Sequence, residues 1–165
     1  MKVLIEDVFP QITCAAYESL YFDEPFNDAV GQALHLGRQL MHFERTPEKI
    51  VRRVGYEPAR DPGSPAGQAF GTSRASFIEE LEYDVRSRRG EWRTIPNVFP
   101  DRVRNAGTIE IVEAPTGVRR IVRGEVKVSM FGFGRLIEKM VVAEIEKSYA
   151  STTRFTNEWL ARRAQ

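Results

Sequence analysis

Cysteine is almost missing from this chain of 165 residues, where Cys14 stands alone. A single thiol excludes an internal disulfide, and with only two histidines, His35 and His42, it leaves no ligand set for a structural zinc. No metal and no cofactor are expected. An excess of one charge is also missing: 24 Lys and Arg stand against 23 Asp and Glu, a formal +1, so the net balance draws the chain neither to nucleic acid nor to an acidic membrane. No stretch approaches the ~18 apolar residues of a spanning helix, and the opening MKVLIEDVFPQ carries acidic residues where a secretory signal keeps its apolar core. These absences describe a reduced, cytoplasmic protein. The length suits one domain, 1–165, burying roughly two thirds of its unfolded surface.

What is present is well punctuated. Lys2 to Phe9 mixes β-branched and aromatic residues and stops at Pro10, which predicts a first strand. From Thr13 onward, TCAAYESLYFDEPFNDAVGQALHL places apolar residues at Ala16, Leu20, Phe26, Val30 and Ala33. Pro25 interrupts it, and Thr13 and Asp23 can each cap an N-terminus, so two short helices or one kinked helix fit. After Gly37 the pattern changes to strands over 39–45, 49–57, 76–86, 91–97, 107–113 and 118–130. Turn signals at Thr46-Pro47, Arg89-Gly90 and Ala114-Pro115-Thr116-Gly117 separate them. The proline- and glycine-rich stretch 58–73 predicts a long loop. Residues 134–163 contain no proline or glycine after Gly134, and Ile137, Val141, Ile145, Ser148, Thr152, Phe155 and Trp159 share one helical face. The expected class is α+β: a curved seven-stranded antiparallel sheet wrapped around a long C-terminal helix, with two short helices after the first strand.

This order, the helix-grip arrangement, resembles the START-like (SRPBCC) superfamily. The closing segment RGEVKVSMFGFGRLIEKMVVAEIEKSYASTTRFTNEWLARR is similar to an uncharacterised bacterial branch of it, in which a Gly-containing turn leads into an "IEK" helix ending near "FT..WL". Gly132, Gly134, Ile137, Glu138, Lys139, Phe155, Thr156, Trp159 and Leu160 carry the likeness. The resemblance implies the helix-grip fold. It implies function only loosely, because the superfamily hosts carriers, enzymes and co-chaperones on one scaffold.

The glycines of Phe131-Gly132-Phe133-Gly134, ahead of a helix, also suggest a phosphate-binding turn. The third glycine is missing, position 137 is Ile, and the preceding strand is antiparallel. The stretch therefore reads as the hinge between the last strand and the gripping helix. Phe131 and Phe133 are expected to pack into the core or hinge, with a transient membrane contact as the alternative.

In 76–86, Phe77, Glu79, Leu81, Tyr83 and Val85 alternate onto one face, and their apolar majority makes it the inner one. Glu79 then needs a partner, a proton or the wet rim of a cavity. The closing strand turns Val118, Val122, Gly124, Val126, Val128 and Met130 inward together with one charge, Arg120, near the strand's start and expected at the rim. An ion pair between Glu79 and Arg120 would orient a polar head group. Ser148 and Thr152 either bond back to carbonyls one turn earlier or line a cavity, and Glu144 and Tyr149 border the same helix face. Trp92 lies beside Arg86, Arg88, Arg89 and Arg93. A stacking platform for nucleic acid would use such a pairing, but the balanced charge favours a solvated hairpin tip and no nucleic-acid partner.

The expected ligand-binding lining is Glu79, Leu81, Tyr83 and Trp92 from the sheet, Arg120, Val122, Val126 and Val128 from the last strand, and Ile137, Val141, Glu144, Ile145, Ser148, Tyr149 and Thr152 from the helix. An apolar interior with a few polar residues suits binding or carriage of a hydrophobic small molecule, such as a lipid, a sterol-like compound or a polyketide, without chemistry. The alternatives are a cyclase- or hydratase-like enzyme using Glu79 or Tyr83 as acid or base, and a protein-interaction module whose core is filled by its own side chains. No catalytic residue is assigned, since Cys14 opens an apolar helix with neither histidine placed beside it.

Overall fold

Both caps expected from the sequence close as drawn. Thr13 Oγ1 accepts from the Ala16 N–H at 3.2 Å and Asp23 Oδ2 from the Phe26 N–H at 2.9 Å, so the N-terminal segment is two helices. The structure, a computed structural model, describes residues 1–58 and 76–163. Its elements are β1 Lys2–Pro10, α1 Cys14–Tyr21, α2 Glu24–Ala33, β2 Leu36–Arg45, β3 Lys49–Pro58, β4 Phe77–Asp84, β5 Arg89–Pro96, β6 Val103–Ala114, β7 Gly117–Val128 and α3 Gly134–Arg163. The seven strands form one antiparallel sheet in the order β1-β7-β6-β5-β4-β3-β2. Consecutive strands from β2 to β7 are neighbours, and β1 closes onto β7.

Some boundaries differ from the sequence reading. The β4–β5 turn falls at 85–88, ahead of Arg89-Gly90. Asp84 Oδ1 accepts from the Ser87 N–H at 2.6 Å, and Arg88 adopts φ 51°. Gly90 lies inside β5, where a Cβ would stand 2.9 Å from the Leu81 side chain and 3.1 Å from that of Tyr83. β6 begins at Val103 rather than at 107. Apart from Pro58, the predicted loop 58–73 lies outside the described residues.

The core has two parts. Phe9, Tyr17, Phe22, Tyr83 and Val118 pack together under α1, and Val3, Val126, Val128, Ile137 and Val142 pack under the first turns of α3. Farther along α3, Phe155 and Trp159 meet Phe26 of α2, with ring centroids 6.1 and 5.5 Å away. The buried stripe of α3 departs from the predicted one in the middle of the helix. After Ile145 the face continues through Tyr149, Thr152, Thr153 and Thr156, while Ser148 and Glu144 are exposed. A helical face can advance by three or four residues, and the large ring at position 149 takes the inner place. The back-bond expected of Ser148 or Thr152 is made by Thr156, whose hydroxyl donates to the Thr152 carbonyl at 2.8 Å.

The segment after β7 is a hinge. Gly132 takes φ 79°, a conformation that favours glycine, and a Cβ on Gly134 would lie 2.5 Å from the Val128 carbonyl oxygen. Glu138 ties the hinge back, its Oε1 accepting from the Val128 N–H at 3.0 Å. That hydrogen bond holds its carboxyl below the ordinary value. Core packing of the hinge phenylalanines is overturned, for Phe131 is 104% and Phe133 65% exposed. Among the described residues no helix is long and apolar enough to cross a membrane.

Candidate functional site

The register stacks inward residues of neighbouring strands into rows across the sheet. One row runs Ile50, Tyr83, Gly90, Ile109, Val122, Ile5, and the next runs Arg52, Leu81, Trp92, Gly107, Gly124, Val3. A third runs Val54, Glu79, Thr94, Asn105, Val126. The first is sealed from β3 to β7, with Ile50, Tyr83 and Val122 at 0% exposure. The next two are not: Trp92, Gly107, Gly124, Glu79 and Thr94 are only half-buried, as are Val141, Ile145, Tyr149 and Thr152 of α3. The interior is thus packed solid toward α1 and less closely covered toward the opposite end of the strands.

Among the described residues, Arg120 and Arg52 reach into this interior, and Arg38 of β2, opposite Tyr56, faces the same side against α2, its Nη1 2.7 Å from Glu24 Oε2. Arg120 faces Asp7 directly across the β1–β7 register, and its Nη2 donates to Asp7 Oδ2 at 2.6 Å and to Thr153 Oγ1 at 3.0 Å. Its Nη1 donates to the Tyr17 hydroxyl at 3.3 Å, and its guanidinium lies 5.3 Å from the Phe9 ring centroid and 4.9 Å from that of Tyr149. Only 3% of the side chain is exposed, so the expected rim position is corrected. Strand alternation turns the residue inward, and a counter-charge on the adjacent strand makes burial tolerable.

Arg52 occupies the equivalent role on β3. Its Nη2 donates to Glu79 Oε1 at 3.2 Å and its Nη1 to the Tyr21 carbonyl at 3.3 Å, while its guanidinium lies 5.1 Å from the Tyr21 ring centroid. Glu79 therefore pairs with Arg52, and the expected Glu79–Arg120 ion pair is not formed. Both guanidiniums approach one face of α1, where Tyr17 and Tyr21 lie one turn apart with centroids separated by 6.3 Å. Burial alone would lower the pKa of each arginine. The tyrosines and carboxylates around them outweigh it, Tyr21 and Glu79 for Arg52 and Tyr17, Tyr149 and Asp7 for Arg120, and both are held above their ordinary value.

Tyr83 and Glu79 do not face each other. The Tyr83 hydroxyl donates to Glu18 Oε2 at 3.0 Å, and burial, then the Glu18 charge, push its pKa up, so it keeps its proton at neutral pH. Trp92 is not at a hairpin tip. Its indole lies over Gly124, where a Cβ would come within 2.7 Å of the ring, so a glycine is what makes room for it. Val122, Val126, Val128 and Ile137 are buried core, and Leu81 is buried beside Trp92.

Several buried polar atoms lack a hydrogen-bond partner among the described residues: Arg38 Nε, Arg52 Nε, Arg120 Nε, Trp92 Nε1 and Asn105 Oδ1 on the inner face of the sheet. Four of these five are donors. A buried donor left unpaired costs about 1 to 3 kcal/mol. Among the described residues no group of three His, Cys, Asp or Glu is placed to hold a metal ion. The outer face of the sheet carries an open groove of about 440 Å³ between Met41, His42, Val51, Arg53, Glu80 and Glu82. Its charges are already engaged, Arg53 with Glu80 at 3.4 Å and Lys49 with Glu82 at 2.6 Å.

Arg52, Asp7, Tyr17 and Tyr21 are absent from the lining read from the sequence. The first two are within reach of the alternation argument: Ile50, Arg52, Val54 and Tyr56 share a face of β3, and Val3, Ile5, Asp7 and Phe9 share one of β1.

Residues 49–160 match the family described as "Protein of unknown function (DUF2505)". No curated protein matches the chain. Among solved structures, the chain is similar to TTHA0849 from Thermus thermophilus, with 15% identity, a TM-score of 0.63, and coverage of 93% of this chain and 95% of that one. A second, DR_A0006 from Deinococcus radiodurans, is 15% identical with a TM-score of 0.44, over 95% of this chain and 97% of that one. At such identity the likeness to the Thermus protein concerns the fold.

Proposed function

The chain belongs to the DUF2505 family of proteins of unknown function, and from that premise we propose that its interior binds or carries a hydrophobic small molecule between the sheet and α3, without chemistry. The arrangement is the helix-grip one of the START-like superfamily in this reading, set in the cytoplasm. The observation that carries it is the excess of unpaired donors, Arg52 Nε, Arg120 Nε and Trp92 Nε1, on a face whose middle is half-buried under α3. An apolar surround with a few convergent polar groups is the usual make-up of a ligand site. Each arginine already has a carboxylate partner and the unpaired groups named are N–H donors, so the fitting ligand is an apolar body whose polar end presents oxygen acceptors, a carbonyl, a hydroxyl or a carboxyl.

Titration with an environment-sensitive fluorescent fatty acid, and with a hydrocarbon analogue lacking the oxygens, tests this. The oxygen-bearing probe is expected to bind at least about tenfold more tightly, because the analogue leaves the buried donors unpaired. Thr152→Phe, on the inner face of α3, should abolish uptake with the fold retained, while Ser148→Phe, on the solvent side, should leave it unchanged. Absence of binding by either probe to the parent, with Thr152→Phe melting well below it, would assign the interior to a filled core.

A further inference from the structure

The β7–α3 hinge carries an apolar tip that interior binding does not use. Phe131 is fully exposed, and Phe133, Leu136 and Phe99 are 65%, 58% and 43% exposed. The two segments that bear them lie side by side. The Ser129 N–H donates to the Arg102 carbonyl at 2.8 Å, and the Arg102 N–H to the Phe99 carbonyl at 2.9 Å, closing the β5–β6 turn against the hinge. A Cβ on Gly132 would meet nothing within 4 Å, so the hinge stands clear of the body. Phe99 has φ 53°, a backbone state that a phenylalanine adopts rarely.

Charge around the tip has one dominant sign. Residues 97–104 and 125–139 hold five basic side chains, Arg102, Arg104, Lys127, Arg135 and Lys139, all exposed, against three acidic ones, Asp101, Glu125 and Glu138, and Lys127 is paired with Glu125 at 3.3 Å. Glu138 is already engaged by the Val128 N–H. The chain as a whole is near neutral, at +1, so this positive collar acts locally, within a Debye length of about 8 to 10 Å. Aromatic rings at the tip with basic side chains behind them match the interface of an anionic bilayer, where rings sit at headgroup level and cations meet phosphates.

We propose that this tip docks the protein on an anionic phospholipid surface, Phe131 and Phe133 entering the interface and the basic collar selecting its charge. The test is co-sedimentation of the full chain with vesicles of phosphatidylcholine alone and with one quarter phosphatidylglycerol. Binding to the anionic vesicles is expected to be at least about tenfold tighter and to weaken with salt. Phe131→Ser with Phe133→Ser should lose at least about tenfold in affinity at an unchanged melting temperature. Arg102→Gln with Arg135→Gln should lose the preference for anionic vesicles. If the serine variant proves unstable, Phe131→Trp serves instead, its emission shifting to the blue only with anionic vesicles. Failure of the parent to bind either vesicle, or undiminished binding by the serine variant, overturns the proposal. Self-association of the parent that the serine variant loses also overturns it and assigns the tip to a contact between copies. None of these outcomes depends on whether the interior binds a small molecule.

Discussion

Replacing Asp7 by Asn and Arg120 by Met, singly and together, probes the buried pair around which the interior is built. Asp7→Asn leaves a guanidinium with 3% of its side chain exposed and no counter-charge, and breaking a buried pair this way costs about 3 to 5 kcal/mol. Arg120→Met leaves Asp7 at 12% exposure, close enough to water for partial hydration, while the thioether fills the slot against Phe9 and Tyr149. Its cost is therefore smaller, about 2 to 3 kcal/mol. The double variant strands neither charge, so its cost should fall short of the sum of the singles by about 2 kcal/mol. Urea unfolding at pH 7, followed by far-ultraviolet circular dichroism, measures all three differences, provided the dependence on denaturant is unchanged. A coupling below about 0.5 kcal/mol would mean that both groups reach water, and the interior would then lack the desolvated polar centre on which the ligand reading rests.

Trp159→Ala should cost about 2 to 4 kcal/mol in the same assay, below a fully buried tryptophan because the ring is half-covered by Phe26 and Phe155; a cost under about 1 kcal/mol would show that the end of α3 is not docked on α2. Gly134→Ala places a methyl 2.5 Å from the Val128 carbonyl and should destabilise by about 1 to 3 kcal/mol, whereas Gly132→Ala, strained by φ 79° but unobstructed, should cost about 1 to 2 kcal/mol. The Glu138 carboxyl is held low by the Val128 N–H. A depressed acid contributes stability above its unfolded value and loses it as the pH falls through its folded one. The melting temperatures of the parent and Glu138→Gln should accordingly differ at pH 7 and converge once the pH is well below the ordinary 4.5; a constant difference would place the effect elsewhere.

Alternation and helical periodicity disclose faces, and the faces hold: Glu79, Leu81 and Tyr83 of β4 and Arg120, Val122 and Val126 of β7 all point inward, and the caps Thr13 and Asp23 start the two helices. Partners are less legible. Arg120 meets Asp7 from a strand 113 residues away, and Arg52 meets Glu79 diagonally, since the register sets Arg52 opposite Leu81. A strand pattern states which side a residue faces but not which strand lies beside it, so the sequence joins Glu79 and Arg120 only because each lacks a known partner. Ser148 is misplaced because a 3.6-residue period leaves positions 148 and 149 almost equally inward, and packing against Arg120 selects Tyr149. The exposure of Phe131 and Phe133 runs against hydrophobicity itself, which sequence patterns assume. Gly132, with its positive φ, is the one local sign that the chain turns outward there.

Native mass spectrometry of the freshly purified full chain, before and after extraction with organic solvent, bears on the interior without any added probe. A species heavier than the chain by one small molecule is expected, lost on extraction, with a released mass that belongs to an apolar compound bearing oxygen acceptors and is missing from Thr152→Phe. The bare chain mass in every preparation, with no uptake of the fluorescent fatty acid afterwards, would contradict a ligand-binding interior.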